Sequence, residues 1–401
     1  MQEKAAGRDL SGVRVALVAN TSWYLMNFRG ALIARLVEEG ADVIAVAPDT
    51  EYREKLEGLG ARFERWALDR RSLSPLAMAR AFLRIIGLYR RLRPDLVHHF
   101  TIKPVILGGI AAHLLGVRGI VQSLTGLGLA FAPANLLHLP ALIGYRYALG
   151  GSAHVVFQNE DDREEILGSG FVRPENTHLI RGSGVDVARF ERVTPPRDHR
   201  SANFLMACRM LWAKGVREFV EAADLVHREN PDCRFALVGD TDPGTPDAAP
   251  AEWLEEAAGR PYLDWWGFQE SIEGALAWSD VVVLPSYREG LPKSLLEGAA
   301  GGRALVTTDV PGCRDVVSHL DTGLLVGAED APALAGAMAR LAADPELRAA
   351  LAGRARKKAT GEFGADSVVT RTLDVYGAAL AGRPSKRARH AASQRTSRRA
   401  P

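Results

Sequence analysis

The chain has 401 residues, enough for two domains that each bury a core. Its 47% hydrophobic and 24% charged residues are ordinary for a globular protein, and the net charge is +2. That charge is uneven: residues 381–401 carry seven Lys/Arg and no Asp/Glu, which leaves the other 380 residues at about −5 and excludes a nucleic-acid-binding body. The tail reads as a basic, disordered, solubilising end. The alternative is attraction to anionic lipid, at roughly 1 kcal/mol per basic residue near a membrane. Three cysteines, Cys208, Cys233 and Cys313, are too few and too scattered for a disulfide framework or a zinc site, and a reduced cytosol fits them best. Met1–Gly12 is polar and charged, unlike a signal peptide, and no apolar run reaches the length of about 18 residues that a spanning helix needs.

Along the chain, short β-rich apolar runs alternate with amphipathic stretches. Strands are expected at Val13–Ala19 and Val43–Ala47 with a helix Gly30–Glu39 between them. A helix Leu76–Leu92, a strand Asp95–His98, a helix Pro104–Leu115 and strands Gly119–Ser123 and Ala153–Phe157 follow. Residues 187–201 are polar, contain Pro195-Pro196, and read as a linker. The pattern restarts with strand Phe204–Ala207, helix Val216–His227, strands Arg234–Val238 and Val281–Pro285, helix Pro292–Ala300 and strand Ala304–Thr307. A last helix near Ser367–Leu380 is expected to pack back onto the first domain. Such βαβ alternation predicts parallel sheets with right-handed crossovers. The fold class is therefore α/β, with two Rossmann-like domains and a cleft between the C-terminal ends of their strands: 1–186, a linker 187–201, 202–380, and a basic tail 381–401.

The most informative stretch runs from Ser286 to Val317. Glu289 stands in a Gly-Leu-Pro turn after a strand, and Glu297 lies on the helix that follows. Pro292 suits the first helical position, where its missing N–H is not needed. Gly290 lets backbone approach a ligand, and free N–H groups at the helix start suit an anion. The spacing of the two glutamates alone is weak, because 48 acidic residues produce such pairs by chance; the strand-turn-helix setting gives it weight. Arg209 and Lys214 follow another strand end and point toward the expected cleft, where fixed cations stabilise the charge developing on a leaving diphosphate. Two solvated surface charges would look the same.

Taken together, NTSWYLMNFR (20–29), HHFTIKPVILGG (98–109), TGLG (125–128), GSGVD (182–186), RMLWAKGV (209–216) and REGLPKSLLEGAA (288–300) resemble the retaining glycosyltransferases of family 4, which have the GT-B fold. The resemblance runs from Val13 to about Leu380, and TIKP with TGLG is similar to bacterial enzymes that glycosylate polyprenyl-diphosphate-linked precursors. It implies that Arg209 and Lys214 hold the donor diphosphate, that Glu297 accepts from the ribose hydroxyls, and that Glu289 contacts the donor sugar near the reacting carbon. Gly290, Leu291 and Pro292 would support sugar and phosphate. It also implies front-face transfer with retention and no bound metal or other cofactor. Two departures stand out. The first loop has the single glycine Gly30 after Arg29 where many members have two, with its N–H groups still expected to open a helix toward a phosphate. Thr125 stands where many members have a histidine, leaving Thr125 and Gly126 to contact the sugar. Lys103, at a helix start, is placed to bind the acceptor diphosphate, or is a solvated loop lysine.

Other features read as decoys. His98-His99 lacks a ligand partner at metal spacing, and the two side chains face opposite ways on a strand. Asp240-Thr241-Asp242 reads as a surface loop near the nucleotide base. Trp265-Trp266 reads as one core and one partly exposed aromatic. Leu127–Leu149, broken by Pro133 and Pro140, is either an interfacial segment or a buried helix. The expected protein is a cytoplasmic, membrane-peripheral hexosyltransferase. It would use a UDP-sugar donor and a lipid-linked glycan acceptor for surface polysaccharide such as capsule or O-antigen, with no nucleic-acid partner. A UDP-N-acetylhexosamine epimerase-like enzyme and a non-catalytic nucleotide-sugar-binding protein are the alternatives, and a dinucleotide oxidoreductase lacks its glycine fingerprint.

Overall fold

The computed structural model describes residues 10–72, 74–127, 138–151, 153–193 and 201–381. Contacts divide the chain into two units, Met1–Ile180 with Val368–Pro401, and Arg181–Ser367.

The first unit is built on a seven-stranded parallel sheet of order β3-β2-β1-β4-β5-β6-β7. Its strands are β1 Arg14–Val18, β2 Asp42–Ala47, β3 Arg62–Arg65, β4 Leu96–Phe100, β5 Gly119–Leu124, β6 His154–Phe157 and β7 Thr177–Leu179. The second unit holds a six-stranded parallel sheet of order β10-β9-β8-β11-β12-β13. It comprises β8 Asn203–Ala207, β9 Arg234–Val238, β10 Leu263–Trp265, β11 Val281–Leu284, β12 Ala304–Thr308 and β13 Leu324–Val326. The central strands are buried on both faces and mostly apolar, as parallel strands covered by helices are, with His98 and His99 of β4 among the polar exceptions that find partners inside. In each sheet the strand order reverses once, between β1 and β4 and between β8 and β11. There the loops leaving the strand ends diverge and open a crevice.

The strands and longer helices fall near their expected positions, with four corrections. The first helix spans Ser22–Glu38, so Arg29 and Gly30 lie inside it and their backbone N–H groups belong to the helix. Its start is set by Thr21, whose hydroxyl accepts from Tyr24 N, and by Asp49, whose carboxylate accepts from Ser22 N at 3.0 Å. The anion favoured at a helix N-terminus is therefore already supplied by the chain itself. Pro292 sits at the N-cap in extended conformation, one residue before the helix Lys293–Ala300. The linker begins as a helix, Val187–Glu191, capped by the Asp186 side chain and anchored by buried Phe190; Pro195-Pro196 lies outside the described residues. Residues 181–186 belong to the second unit, because Val185 bonds Phe363 O and its own carbonyl accepts from Ala365 N. That unit ends at Ser367, not at residue 380.

The last helix, Ala365–Ala381, does return to the first unit: Val368, Val369, Leu373 and Tyr376 share a core with Val15 and Leu17 of β1. Of Leu127–Leu149, His138–Leu149 is helical, with Tyr145 and Leu149 buried and Ile143 and Tyr147 exposed; 128–137 lies outside the described residues. So does the tail from residue 382 on. No helix among the described residues is long and apolar enough to cross a membrane.

The first unit also stores neutral histidines. His98 bonds the Tyr376 and Ser123 hydroxyls, each at 2.7 Å, while His99 faces the other way to Tyr89 (2.7 Å) and Gln122 (3.0 Å). All four ring nitrogens are thus used within the protein. Burial lowers His99 to about 3, and burial with the His154 and Arg163 charges lowers His178 to about 4. Their folded values lie below the unfolded value of about 6.5, so the stability they contribute is full above that pH and is lost as pH falls toward 4 and then 3. The urea-unfolding free energy of the intact chain is expected to fall between pH 6.5 and 4 by up to about 1.4 kcal/mol per pH unit per histidine. His178→Gln is expected to flatten that slope, and an unchanged slope would remove the histidine account.

Candidate functional site

The second unit's crevice is made by the segments after β8 and β11. Past β8 the chain runs Cys208, Arg209, Met210 into a 3-10 turn Trp212–Lys214, then Gly215 at φ 77° caps the helix Val216–Glu229. A Cβ on Gly215 would stand 2.1 Å from Pro285 O, so only glycine lets this turn lie against the end of β11. Tyr287 N donates to Ala213 O at 2.9 Å, and the Ser286 hydroxyl, 3.2 Å from the same carbonyl, shares its single proton between it and Glu289, which ties the two segments together. Tyr287 also reaches across, its hydroxyl donating to buried Glu218 at 2.8 Å.

Within this frame Lys214 and Glu289 meet. Lys214 Nζ stands 2.5 Å from Glu289 Oε1, and the Ser286 hydroxyl donates to the same oxygen at 2.9 Å. Both side chains are largely withdrawn from water, at 19% and 13% exposure. Partial burial strengthens such a pair, because water screens it less. The Glu289 turn is held from behind: Glu289 N donates to Pro311 O, and Gly312, at φ 79°, passes so close that a Cβ would lie 2.6 Å from the carbonyl oxygens of Glu289 and Gly290. Leu291 is buried against Gly182. Cys208 and Cys313 feel the charges of this pair, and burial pushes both thiols up to about 12, so they are protonated at neutral pH.

The other expected residues are arranged differently. Arg209 is 62% exposed and 3.4 Å from Asp242, so it marks the rim. Glu297 pairs with Lys293 at 3.5 Å on its own helix; burial raises its carboxyl while Lys293 and Arg189 hold it back. Arg189 itself grips Glu273 with two nitrogens, beside a concavity of about 590 Å³ lined also by Asp186, Arg192 and Val193. The Asp240-Thr241-Asp242 carboxylates diverge, Asp240 to Phe268 N at 3.0 Å and Asp242 to Arg209. Trp265 and Trp266 are both partly buried: Trp265 donates to Gly239 O, and Trp266 packs edge-on against Trp278. In the first unit, Lys103 donates to Asp69 O and Ser72 O, each at 2.7 Å, which commits two of its three protons to a loop. Thr125 and Gly126 follow β5 and are partly buried. Sequence reasoning missed Ser286, Gly215 and Gly312 as site residues. The glycine directly after Lys214 and the Pro-Gly after a strand were the signals available.

Residues 14–159 match the model described as "Glycosyl transferase 4-like", and residues 201–344 the one described as "Glycosyl transferases group 1". These two matches fall on the two sheets. The chain belongs to the family 4-like, group 1 glycosyltransferases. Among curated relatives, this glycosyltransferase is 26% identical to the N,N'-diacetylbacillosaminyl-diphospho-undecaprenol alpha-1,3-N-acetylgalactosaminyltransferase of Campylobacter jejuni, over 91% of this chain and 98% of that protein. It is 25% identical to the UDP-Gal:alpha-D-GlcNAc-diphosphoundecaprenol alpha-1,3-galactosyltransferase of Escherichia coli, over 76% of this chain and 81% of that one. Among solved structures, Anabaena HepE in complex with UDP and glucose superposes with a TM-score of 0.74 at 18% identity, over 90% of this chain and 98% of that one. Sucrose-phosphate synthase of Thermosynechococcus elongatus does so with 0.73 at 17% identity, over 92% and 100%. The fold is GT-B. The epimerase-like and non-catalytic alternatives on this architecture are not favoured by these matches.

The glycosyltransferase's Glu289 depends on glycine behind it. Gly312→Ala is expected to lower the unfolding free energy by about 1–3 kcal/mol through strain and backbone clash. Gly353→Ala, on an exposed helix position with nothing within 4 Å, should raise it by about 0.5–1 kcal/mol. Equal effects in urea titrations would contradict the close approach.

Proposed function

We propose that the chain transfers a hexose or N-acetylhexosamine from a UDP-sugar to a polyprenyl-diphosphate-linked glycan, with retention, in surface polysaccharide or glycoconjugate synthesis. The observation that carries this reading is the Lys214–Glu289–Ser286 cluster at the point where the second sheet reverses its strand order. Without donor, the ammonium and carboxylate neutralise each other. A diphosphate attracts Lys214 and Arg209, and Glu289 is then freed to accept hydrogen bonds from sugar hydroxyls beside C1. As the bond from C1 to the diphosphate oxygen breaks, charge grows on the leaving group, and the two cations stabilise it more than in the ground state without a bound metal. The acceptor oxygen bonds C1 from the same face, and its proton passes to the leaving phosphate oxygen. Glu297, its proton affinity raised by burial, accepts from the ribose hydroxyls, with Gly290, Leu291 and Pro292 framing the donor. The first unit takes the acceptor. The polyprenyl-linked acceptor is supported by the names of the Campylobacter and Escherichia relatives, and the UDP donor by the latter. A membrane-borne acceptor places the enzyme at the inner face of the cytoplasmic membrane, with the basic segment 381–401 attracted to anionic lipid.

The test is nucleotide release from UDP-, GDP- and ADP-sugars, with and without a polyprenyl-diphosphate-linked acceptor. Acceptor-dependent UDP release is expected, and Glu289→Gln should reduce it by about 100-fold or more. Release from none of the donors, or full activity in the variant, would overturn the assignment.

A further inference from the structure

Among the described residues of the first unit, one buried positive charge meets no carboxylate. Arg29 lies about two turns into the helix Ser22–Glu38. Helical side chains lean toward the helix N-terminus, so its guanidinium reaches back toward the sheet edge where β1 ends. There Nη2 donates to the Tyr24 hydroxyl at 3.1 Å, and the guanidinium carbon stands 4.4 Å from the centre of the Phe100 ring. The residue is only 5% exposed. Among the described residues no carboxylate pairs with it, and its Nε finds no hydrogen-bond partner. Buried guanidinium groups are ordinarily paired, because an uncompensated charge removed from water is destabilising. The surroundings add no negative charge: His98 is held neutral by burial and by Arg29 itself, and its nitrogens go to Tyr376 and Ser123.

A second orphan lies one residue past Phe100 in the chain. Thr101 directly follows Phe100 at the end of β4, and its buried hydroxyl also lacks a partner. Tyr24 and Arg29, on the helix after β1, and Thr101, just past the end of β4, thus belong to the place where the first sheet reverses its order, the counterpart of the Lys214–Glu289 crevice in the second sheet. The two differ in this: Lys214 has its carboxylate, and among the described residues Arg29 has none.

We propose that Arg29, with the hydroxyls of Tyr24 and Thr101, forms an anion site in the first unit that takes a phosphoryl group of the lipid-linked acceptor's diphosphate. The acceptor identity rests on the functional reading above. A guanidinium presents paired donors that match two phosphoryl oxygens, and a hydroxyl can serve a third. The helix start does not compete for this role, because Asp49 already fills it.

The experiment uses the full chain saturated with UDP, so that the second unit's diphosphate site is blocked. Inorganic pyrophosphate is titrated calorimetrically onto the native chain, Arg29→Met and Arg29→Lys. Binding to the native chain is expected, weakened about 10- to 100-fold in Arg29→Met and less in Arg29→Lys. Pyrophosphate should raise the melting temperature of the native chain only, and unliganded Arg29→Met should melt no lower than native, since an unpaired buried charge is gone. With a short-chain prenyl-diphosphate sugar, KM for the acceptor should rise by the same factor and KM for the donor should not. A lower melting temperature with unchanged pyrophosphate affinity would assign Arg29 to structure and overturn the inference. So would an unchanged acceptor KM at normal turnover, which leaves the functional reading intact. Arg29-dependent pyrophosphate binding in a chain that uses no prenyl-linked acceptor would keep the anion site and overturn its lipid source.

Discussion

Three backbone segments, at the ends of β8, β11 and β12, must touch for Lys214 and Glu289 to meet in a fixed turn, and a missing Cβ at each of the two contacts permits it. The turn after β8 lies against Pro285 O only because residue 215 is glycine, and the Glu289 turn lies against the chain after β12 only because residue 312 is glycine. Once the segments are in contact, the hydrogen bonds from Ser286 and Tyr287 to Ala213 follow, and they hold Lys214 within bonding distance of Glu289. The charge pair therefore results from backbone packing and does not cause it. Its chemistry is reversible: a half-buried ion pair is held apart from water, so an arriving anion with its own hydroxyl donors can replace each partner without leaving a bare charge.

Both units carry ion pairs, Arg14–Asp42 and Arg163–Glu160 in the first among them, and Arg29 stands apart from these. In the second unit Lys214 pairs with Glu289, Lys293 with Glu297 and Arg189 with Glu273. In the first unit, the buried histidines of β4 pair with tyrosines and Ser123, and burial keeps the histidines uncharged. Among the described residues Arg29 meets the Tyr24 hydroxyl and the Phe100 ring but no carboxylate, which is the ground for the anion proposed there.

Glu289 and Lys214 were legible because each follows an apolar β-rich run and precedes a helical pattern, which locates them at strand ends whatever the strand order. The neighbours that aim them were not legible: Ser286 looks like any turn serine, and the need for glycine at 215 and 312 appears only when Pro285 and Gly290 arrive from elsewhere in the chain. The misplaced start of the first helix has the same origin. Thr21 is a local cap signal, but Asp49 comes from 27 residues away, and the polar Asn27 and the glycine at 30 made the helix middle look like a loop. Val187–Glu191 was read as linker because its charged residues hide the one buried contact, Phe190.

By itself the sequence determined the alternation of strands and helices, the two parallel sheets and the strand-end location of Glu289. Those properties follow from periodicity and turn chemistry within about ten residues. Only the tertiary structure decided that Lys214 meets Glu289 across 75 positions, that Arg209 stays at the rim, and that Lys103 is committed to a loop. It also decided that Tyr376, 278 residues beyond His98, completes the first unit's core. Pairings at such separations depend on strand order and on which side chains lose their water, and neither is written in any local stretch of the chain.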